Sequence, residues 1–251
     1  MSEKVSVITI VKDHEKGLVA TLESLFSQSY ANWESVIVVG PSSDNTLTKA
    51  LKIESENEKV LLINQESKGI YQAMNEGIEA ATGEYVIFMN AGDTFSDINS
   101  LHEMFRAILK HKKGIVIGGY RVLGQERRFS FKEKRVSSLK FAFNLKFGCH
   151  QAMIFSRRAV VRFCGYDTAY KLCADYKLIL QILKQDGGIR VSNIFAAVEP
   201  GGISDRSLSN VHYEKHEIRS EFFGKLIWLP SVIWRMLILT KMRFKKSLKT
   251  F

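Results

Sequence analysis

The chain has 251 residues, 45% hydrophobic and 25% charged, with three cysteines and a formal net charge of +10 at pH 7. Its core can be sizeable, and one domain or two are equally open. Cys149, Cys164 and Cys173 form no C-x-x-C pair and leave one unpaired, which argues against a disulfide framework and a zinc ribbon and favours a reducing compartment. The pI near 9.4 points to a polyanionic partner: nucleic acid, nucleotide phosphate or an anionic membrane.

The opening MSEKVSVITI has no basic-then-apolar leader, so no export is expected. Val5 to Val11 reads as a first strand, followed by the polar turn Lys12-Asp13-His14-Glu15 and a helix with Leu18, Leu22, Leu25 and Phe26 on one face. Val36 to Val39 is a second strand. Gly40-Pro41-Ser42-Ser43-Asp44-Asn45-Thr46 then forms a turn able to cap the helix through Leu47 and Leu51. Val60 to Ile63 is a third strand, and Ser67-Lys68-Gly69 opens a helix whose Ile70, Met74, Ile78 and Ala81 make one buried stripe. Glu84 to Met89 is an almost unbroken apolar run, the signature of a central strand buried on both faces. It ends in Asn90-Ala91-Gly92-Asp93, beyond a strand's carboxyl end, where open α/β sheets bind ligands. Strands alternating with helices predict a parallel sheet of right-handed βαβ units.

The pattern then changes. A helix is expected over 96–110 and a strand over 115–118, followed by a basic stretch, 124–146, without periodicity that reads as a loop or lid. Gln151 to Phe155 reads as strand, Asp175 to Leu183 as an amphipathic helix, Ile189 to Val198 as strand, and Ser207 to Phe223 as helix. His212 and His216 lie four apart, as two ligands on one helix face would, though a solvated polar face explains them as well.

Several ordered motifs over about residues 4 to 205 resemble the family 2 glycosyltransferases of GT-A fold, in a bacterial surface-polysaccharide branch. They are Ser42-Ser43-Asp44-Asn45-Thr46, the run from Lys68 to Ile78 (KGIYQAMNEGI), Ala81 to Tyr85 (ATGEY) and Asn90 to Asp93. His150-Gln151, Gly165-Tyr166-Asp167, Ala174-Asp175-Tyr176 and Gly201 to Ser204 follow in the family's order. The resemblance implies a Rossmann-like, mostly parallel central sheet flanked by helices, with a C-terminal helical tail. It divides the chain into a nucleotide-binding part (about 1–95), an acceptor part (about 96–221) and a tail (222–251).

The implied activity is inverting transfer of a hexosyl or N-acetylhexosaminyl group from a nucleotide-sugar donor, UDP-linked by resemblance, to a hydroxyl of a glycan or polyprenyl-linked acceptor. Such a reaction needs positive charge at the departing diphosphate and a carboxylate that removes the acceptor proton. By resemblance Asp175 is the base, and Asp93 is the carboxylate on the side of a divalent cation, manganese or magnesium. Asp13, Asp44, Lys68, Asn75, Asn90, Gly92, Asp93 and His150 belong to the donor site. Two departures stand out. The family's metal motif carries two or three aspartates, whereas Asn90 and Gly92 occupy the earlier positions here; and Val39-Gly40 stands where many relatives place an aspartate against uracil.

The rival readings are a catalytically inactive GT-A domain and a basic protein that binds nucleic acid or membrane. Retention of Asp175 speaks against the first. Against nucleic acid, the basic clusters lie in a loop and a tail outside the recognisable core. In the tail, Leu226 to Leu239 is apolar apart from Ser231 and Arg235, and Lys241, Arg243, Lys245, Lys246 and Lys249 follow. At fourteen residues this is too short for a span, which needs about 20 apolar residues, but Trp228 and Trp234 suit a headgroup boundary. The expectation is peripheral docking on the inner face of the cell membrane from the cytoplasm. A terminal helix packed on the domain or on a second subunit is the alternative, and oligomeric state stays open.

Overall fold

The computed structural model describes residues 3–143, 148–201 and 207–224. Four strands, β1 (Val5–Val11), β2 (Trp33–Val39), β3 (Val60–Asn64) and β4 (Tyr85–Phe88), lie in the order β3-β2-β1-β4 and are all parallel. Helices α1 (Glu15–Phe26), α2 (Thr46–Glu56) and α3 (Ile70–Ala80) connect them. β4 is central. Val86 and Phe88 face a core shared with Met74 and Ile78 of α3, while Ile87 and Met89 face the opposite core with Leu25 of α1. An apolar run with no polar alternation is what a strand covered on both faces requires. The chain leaves β1 toward β2 on one side, and β4 flanks β1 on the other, so the carboxyl ends of β1 and β4 form a topological switch point.

Beyond β4 the sheet becomes mixed, in keeping with the mostly parallel sheet expected. A two-residue strand β5 (Thr94–Phe95) precedes α4 (Ser100–His111), so this helix starts four residues later than predicted. β6 (Ile115–Val122) runs further than the predicted 115–118. The stretch 124–146, read as loop, contains β7 (Arg128–Phe129), β8 (Lys134–Val136) and α5 (Ser138–Phe143), with 144–147 outside the described residues. Its periodicity is hidden because the two strands are short and ride on β6 and on the later β10. A 3-10 turn over His150–Ala152 leads into β9 (Met153–Ser156), which inserts antiparallel between β4 and β6. Helices α6 (Arg157–Arg162) and α7 (Ala174–Gln185), strand β10 (Gly188–Val198) and α8 (Leu208–Phe223) follow among the described residues. α4 covers one face of the sheet and α3 with α7 the other. One continuous sheet thus crosses from the part expected to bind nucleotide into the part expected to bind acceptor.

The amino end of the sheet is tied by Glu34 of β2. Its carboxylate pairs with Lys4, accepts the Ser6 hydroxyl of β1 at 2.6 Å, and accepts the Thr82 N–H at 2.6 Å and its hydroxyl at 2.7 Å. Burial alone would raise this carboxyl, but the hydrogen bonds from Lys4, Ser6 and Thr82 outweigh it and hold the pKa at about 2 instead of 4.5. A depressed folded pKa means stabilisation that is complete above 4.5 and lost as pH falls through 2. Glu34→Gln is therefore expected to cost about 3 kcal/mol at pH 7, with the gap to wild type narrowing below pH 4.5 in urea titrations. A gap that does not change with pH would refute the clamp.

Among the described residues no helix is long and apolar enough to cross a membrane. The apolar and basic tail expected to dock on membrane falls in 225–251, outside the described residues.

Candidate active site

At the carboxyl end of the sheet the loops after β1 and β2 are stitched together. The Asp13 N–H donates to the Ser42 hydroxyl, and the Asp13 carboxylate accepts the Ser43 N–H at 2.6 Å. The Glu15 N–H reaches Asp44 at 3.3 Å, and the His14 N–H donates to the Thr46 hydroxyl at 3.0 Å. The Ser43 N–H holds Asp13 below the ordinary carboxylate range, and hydrogen bonds from Thr46 do the same for Asp44. Both residues stay ionised and shape this edge of the sheet. Lys68 stands exposed in the loop before α3.

Asp175 lies in the first turn of α7, on a cavity of about 550 Å³ that Tyr71, Asn90, Arg127, His150 and Glu199 also line. The Tyr71 phenol donates to Asp175 Oδ1 at 3.2 Å, and His150 Nδ1 lies 3.8 Å from Oδ2. Burial, reinforced by Asp175, keeps Tyr71 protonated as a donor. Burial also lowers His150 below the usual imidazole range against the pull of Asp175, so a neutral ring faces the carboxylate. With Nδ1–H toward Asp175, Nε2 is left to accept from the Asn90 amide, 3.5 Å away. In that assignment Asn90 Oδ1, buried without a protein partner, is free to accept a hydrogen bond.

The start of α7 is itself held from behind. Glu214 of α8 accepts the successive N–H groups of Lys171, Leu172 and Cys173, each at 2.9 Å. Lys177, one turn further along α7, bonds Asp167 and Glu221, both at 2.8 Å. Tyr71 is set in turn by a stacked Tyr166, with ring centroids 5.4 Å apart. The Asn75 side chain clamps the Tyr166 backbone, accepting its N–H at 2.8 Å and donating to its carbonyl at 2.9 Å. The resemblance implied a donor contact for Asn75; in the structure its amide bonds the Tyr166 backbone, two links behind Asp175.

The turn after β4 rests on α1. The Thr21 hydroxyl accepts the Gly92 N–H at 3.0 Å and donates to the Asp93 carbonyl at 2.7 Å. The Asp93 carboxylate points inward and is only 5% exposed. Its Oδ2 accepts the Gln151 amide at 2.6 Å, and its Oδ1 accepts the Glu199 N–H at 2.8 Å. Burial pushes its pKa up to about 6 despite these two donors. Asp93 is therefore a clasp joining the turn to the 3-10 turn and to the end of β10, whereas the resemblance implied a place facing a cation.

Among the described residues no three His, Cys, Asp or Glu side chains converge to hold a metal ion by themselves. A magnesium-type site does not need them, because such an ion keeps several waters and takes one or two carboxylates plus substrate phosphates. The mouth of the turn fits that pattern. Glu199, half exposed, lies there with His14, their Oε2 and Nε2 atoms 3.8 Å apart.

The family model for glycosyl transferase family 2 matches residues 6–170, more than half of the chain. The chain belongs to this family. An Escherichia coli protein named UDP-Glc:alpha-D-GlcNAc-diphosphoundecaprenol beta-1,3-glucosyltransferase is 27% identical over 231 residues, spanning 90% of this chain and 87% of its own. A PGL/p-HBAD biosynthesis glycosyltransferase of Mycobacterium bovis is 29% identical, but the match covers 63% of this chain and only 61% of that protein. Staphylococcus aureus TarS, solved with UDP-GlcNAc, superposes with a TM-score of 0.69 at 17% identity, covering 89% of this chain and 66% of that one. A Pyrobaculum calidifontis mannosyltransferase bound to GDP-Man and Mn2+ gives 0.65 at 18% identity, covering 90% of this chain and 65% of its own. These structures confirm the GT-A-like fold.

Within this family 2 glycosyltransferase, Asn90, His150 and Asp175 meet on one cavity. Asp13 and Asp44 gather at the neighbouring sheet edge, and Gly92 lies in the turn between. Tyr71, Gln151, Glu199 and Glu214 were not anticipated. Tyr71 and Gln151 lie inside quoted motifs, Gln151 next to His150 and Tyr71 three residues after Lys68, whereas no local pattern marks Glu199 or Glu214.

Proposed function

We propose that this chain is an inverting transferase that moves a sugar from a UDP-linked donor to a hydroxyl of a glycan or polyprenyl-linked acceptor. The observation that carries the reading is Asp175, a carboxylate on the cavity whose two oxygens face Tyr71 and His150. A fixed carboxylate at that place can take the proton of the attacking hydroxyl, and one displacement assisted by one base inverts the anomeric centre. Neutral His150 and protonated Tyr71 hold the base without competing for its role. The open acceptor on Asn90 suits a sugar hydroxyl or amide.

The names of two similar proteins, one using UDP-Glc and one solved with UDP-GlcNAc, support the uridine donor, and the E. coli relative's name supports a lipid-diphosphate acceptor. A divalent cation bound with the donor would offset the charge that accumulates on the departing diphosphate. It would be held beside the Asn90-to-Asp93 turn. On this reading the enzyme works at the cytoplasmic face of the membrane, with the tail bringing it to a lipid-linked acceptor. Incubation with a panel of UDP- and GDP-sugars and a polyprenyl diphosphate-linked GlcNAc is expected to yield product from a UDP-sugar. Transfer from GDP-sugars alone would overturn the donor assignment.

A further inference from the structure

We propose that Glu199, at the end of β10, is the carboxylate that holds the donor-bound divalent cation, taking the place that the turn after β4 leaves empty. The inference rests on the nucleotide-sugar reading above. It begins with Gly92, whose φ is +98° and which carries no side chain where the family's motif has an aspartate. A Cβ built on Gly92 would lie 2.3 Å from Glu199 Oε2 and 3.0 Å from His14 Cε1. The volume beside the turn is thus filled, and what fills it is a carboxylate from another strand.

Its placement is built into the fold. Ala197 pairs with Thr94 and Ala196 with Phe95, so β10 runs antiparallel to the residues that leave the turn. Two residues later the Glu199 N–H is bound by Asp93 Oδ1 at 2.8 Å, which fixes the backbone while leaving the side chain half exposed. His14 is set from the other side. Its ring lies over Gly17 of α1, where a Cβ would come within 2.4 Å of it. The two small residues, Gly17 and Gly92, together open a slot in which one carboxylate and one imidazole face each other at 3.8 Å.

The chemistry favours Glu199 over Asp93. Both Asp93 oxygens already accept hydrogen bonds from the protein in a buried position, whereas Glu199 lines the cavity that holds Asp175. A hard cation that arrives with a diphosphate and keeps waters needs only one or two protein ligands. Imidazole is a softer ligand than carboxylate, which places His14 second to Glu199.

The test titrates Mn2+ by electron paramagnetic resonance against the full chain in saturating UDP, and UDP alone in EDTA. Glu199→Gln is expected to weaken Mn2+ binding at least about tenfold with UDP affinity in EDTA unchanged, and Asp93→Asn to bind Mn2+ as wild type does. Wild-type Mn2+ affinity in Glu199→Gln, or an equal loss in Asp93→Asn, would overturn the assignment. Loss of UDP affinity in EDTA for Glu199→Gln would also overturn it, since Glu199 would then touch the nucleotide itself. A wild-type chain that binds no UDP under either condition would instead sink the donor reading beneath it.

Discussion

Asp175→Asn is expected to lower sugar transfer roughly a hundredfold or more while donor affinity and the thermal midpoint stay near wild type. The asparagine keeps an oxygen for the Tyr71 phenol, which now bonds Asp175 at 3.2 Å, and it is nearly isosteric. The α7 start would be unchanged, because Glu214 and Lys177 hold it without involving the Asp175 side chain. What disappears is the basic oxygen that accepts the hydroxyl proton. Such a pattern, turnover lost with binding retained, belongs to a group acting in the transition state. Near-normal turnover in the variant would remove Asp175 from the mechanism.

The second large effect is on stability. Asp93→Ala leaves the Gln151 amide and the Glu199 N–H without their acceptor in a site only 5% exposed. An unsatisfied buried donor costs about 1–3 kcal/mol and the partly buried Glu199 N–H less, so a total loss of about 2–4 kcal/mol is expected in chemical unfolding. Asp93→Asn should recover most of it. Its carbonyl can accept the Glu199 N–H, and a flipped Gln151 amide can offer its oxygen to the new NH2 group. Equal damage from both variants would mean that the negative charge of Asp93, rather than its hydrogen bonds, is what the fold requires.

Much of this architecture was legible from the chain because the physics was local. The run Val86-Ile87-Phe88-Met89 has no polar alternation, and each face of β4 does meet its own core. Asp175 was legible through motif order, and α7 confirmed the periodicity predicted around it. What escaped was chemistry assembled over distance. Tyr71 reaches Asp175 across 104 residues of sequence, and Asp93 meets the Glu199 backbone across 106. No spacing rule links such pairs; only the sheet order brings β10 and β9 back to the end of β4. The same reason explains the basic stretch after β6, whose two short strands take their order from β6 and β10. At Asp93 the side chain turns inward, where Gln151 and Glu199 offer donors that no local pattern announces.

The most direct measurement is the anomeric configuration of the product. An α-linked UDP-sugar that supports transfer is incubated with acceptor, and the new linkage is read from the coupling of its anomeric proton by NMR. A single displacement with Asp175 as base predicts a β-linkage. An α-linked product would require two displacements or front-face attack, and would contradict the role assigned to Asp175.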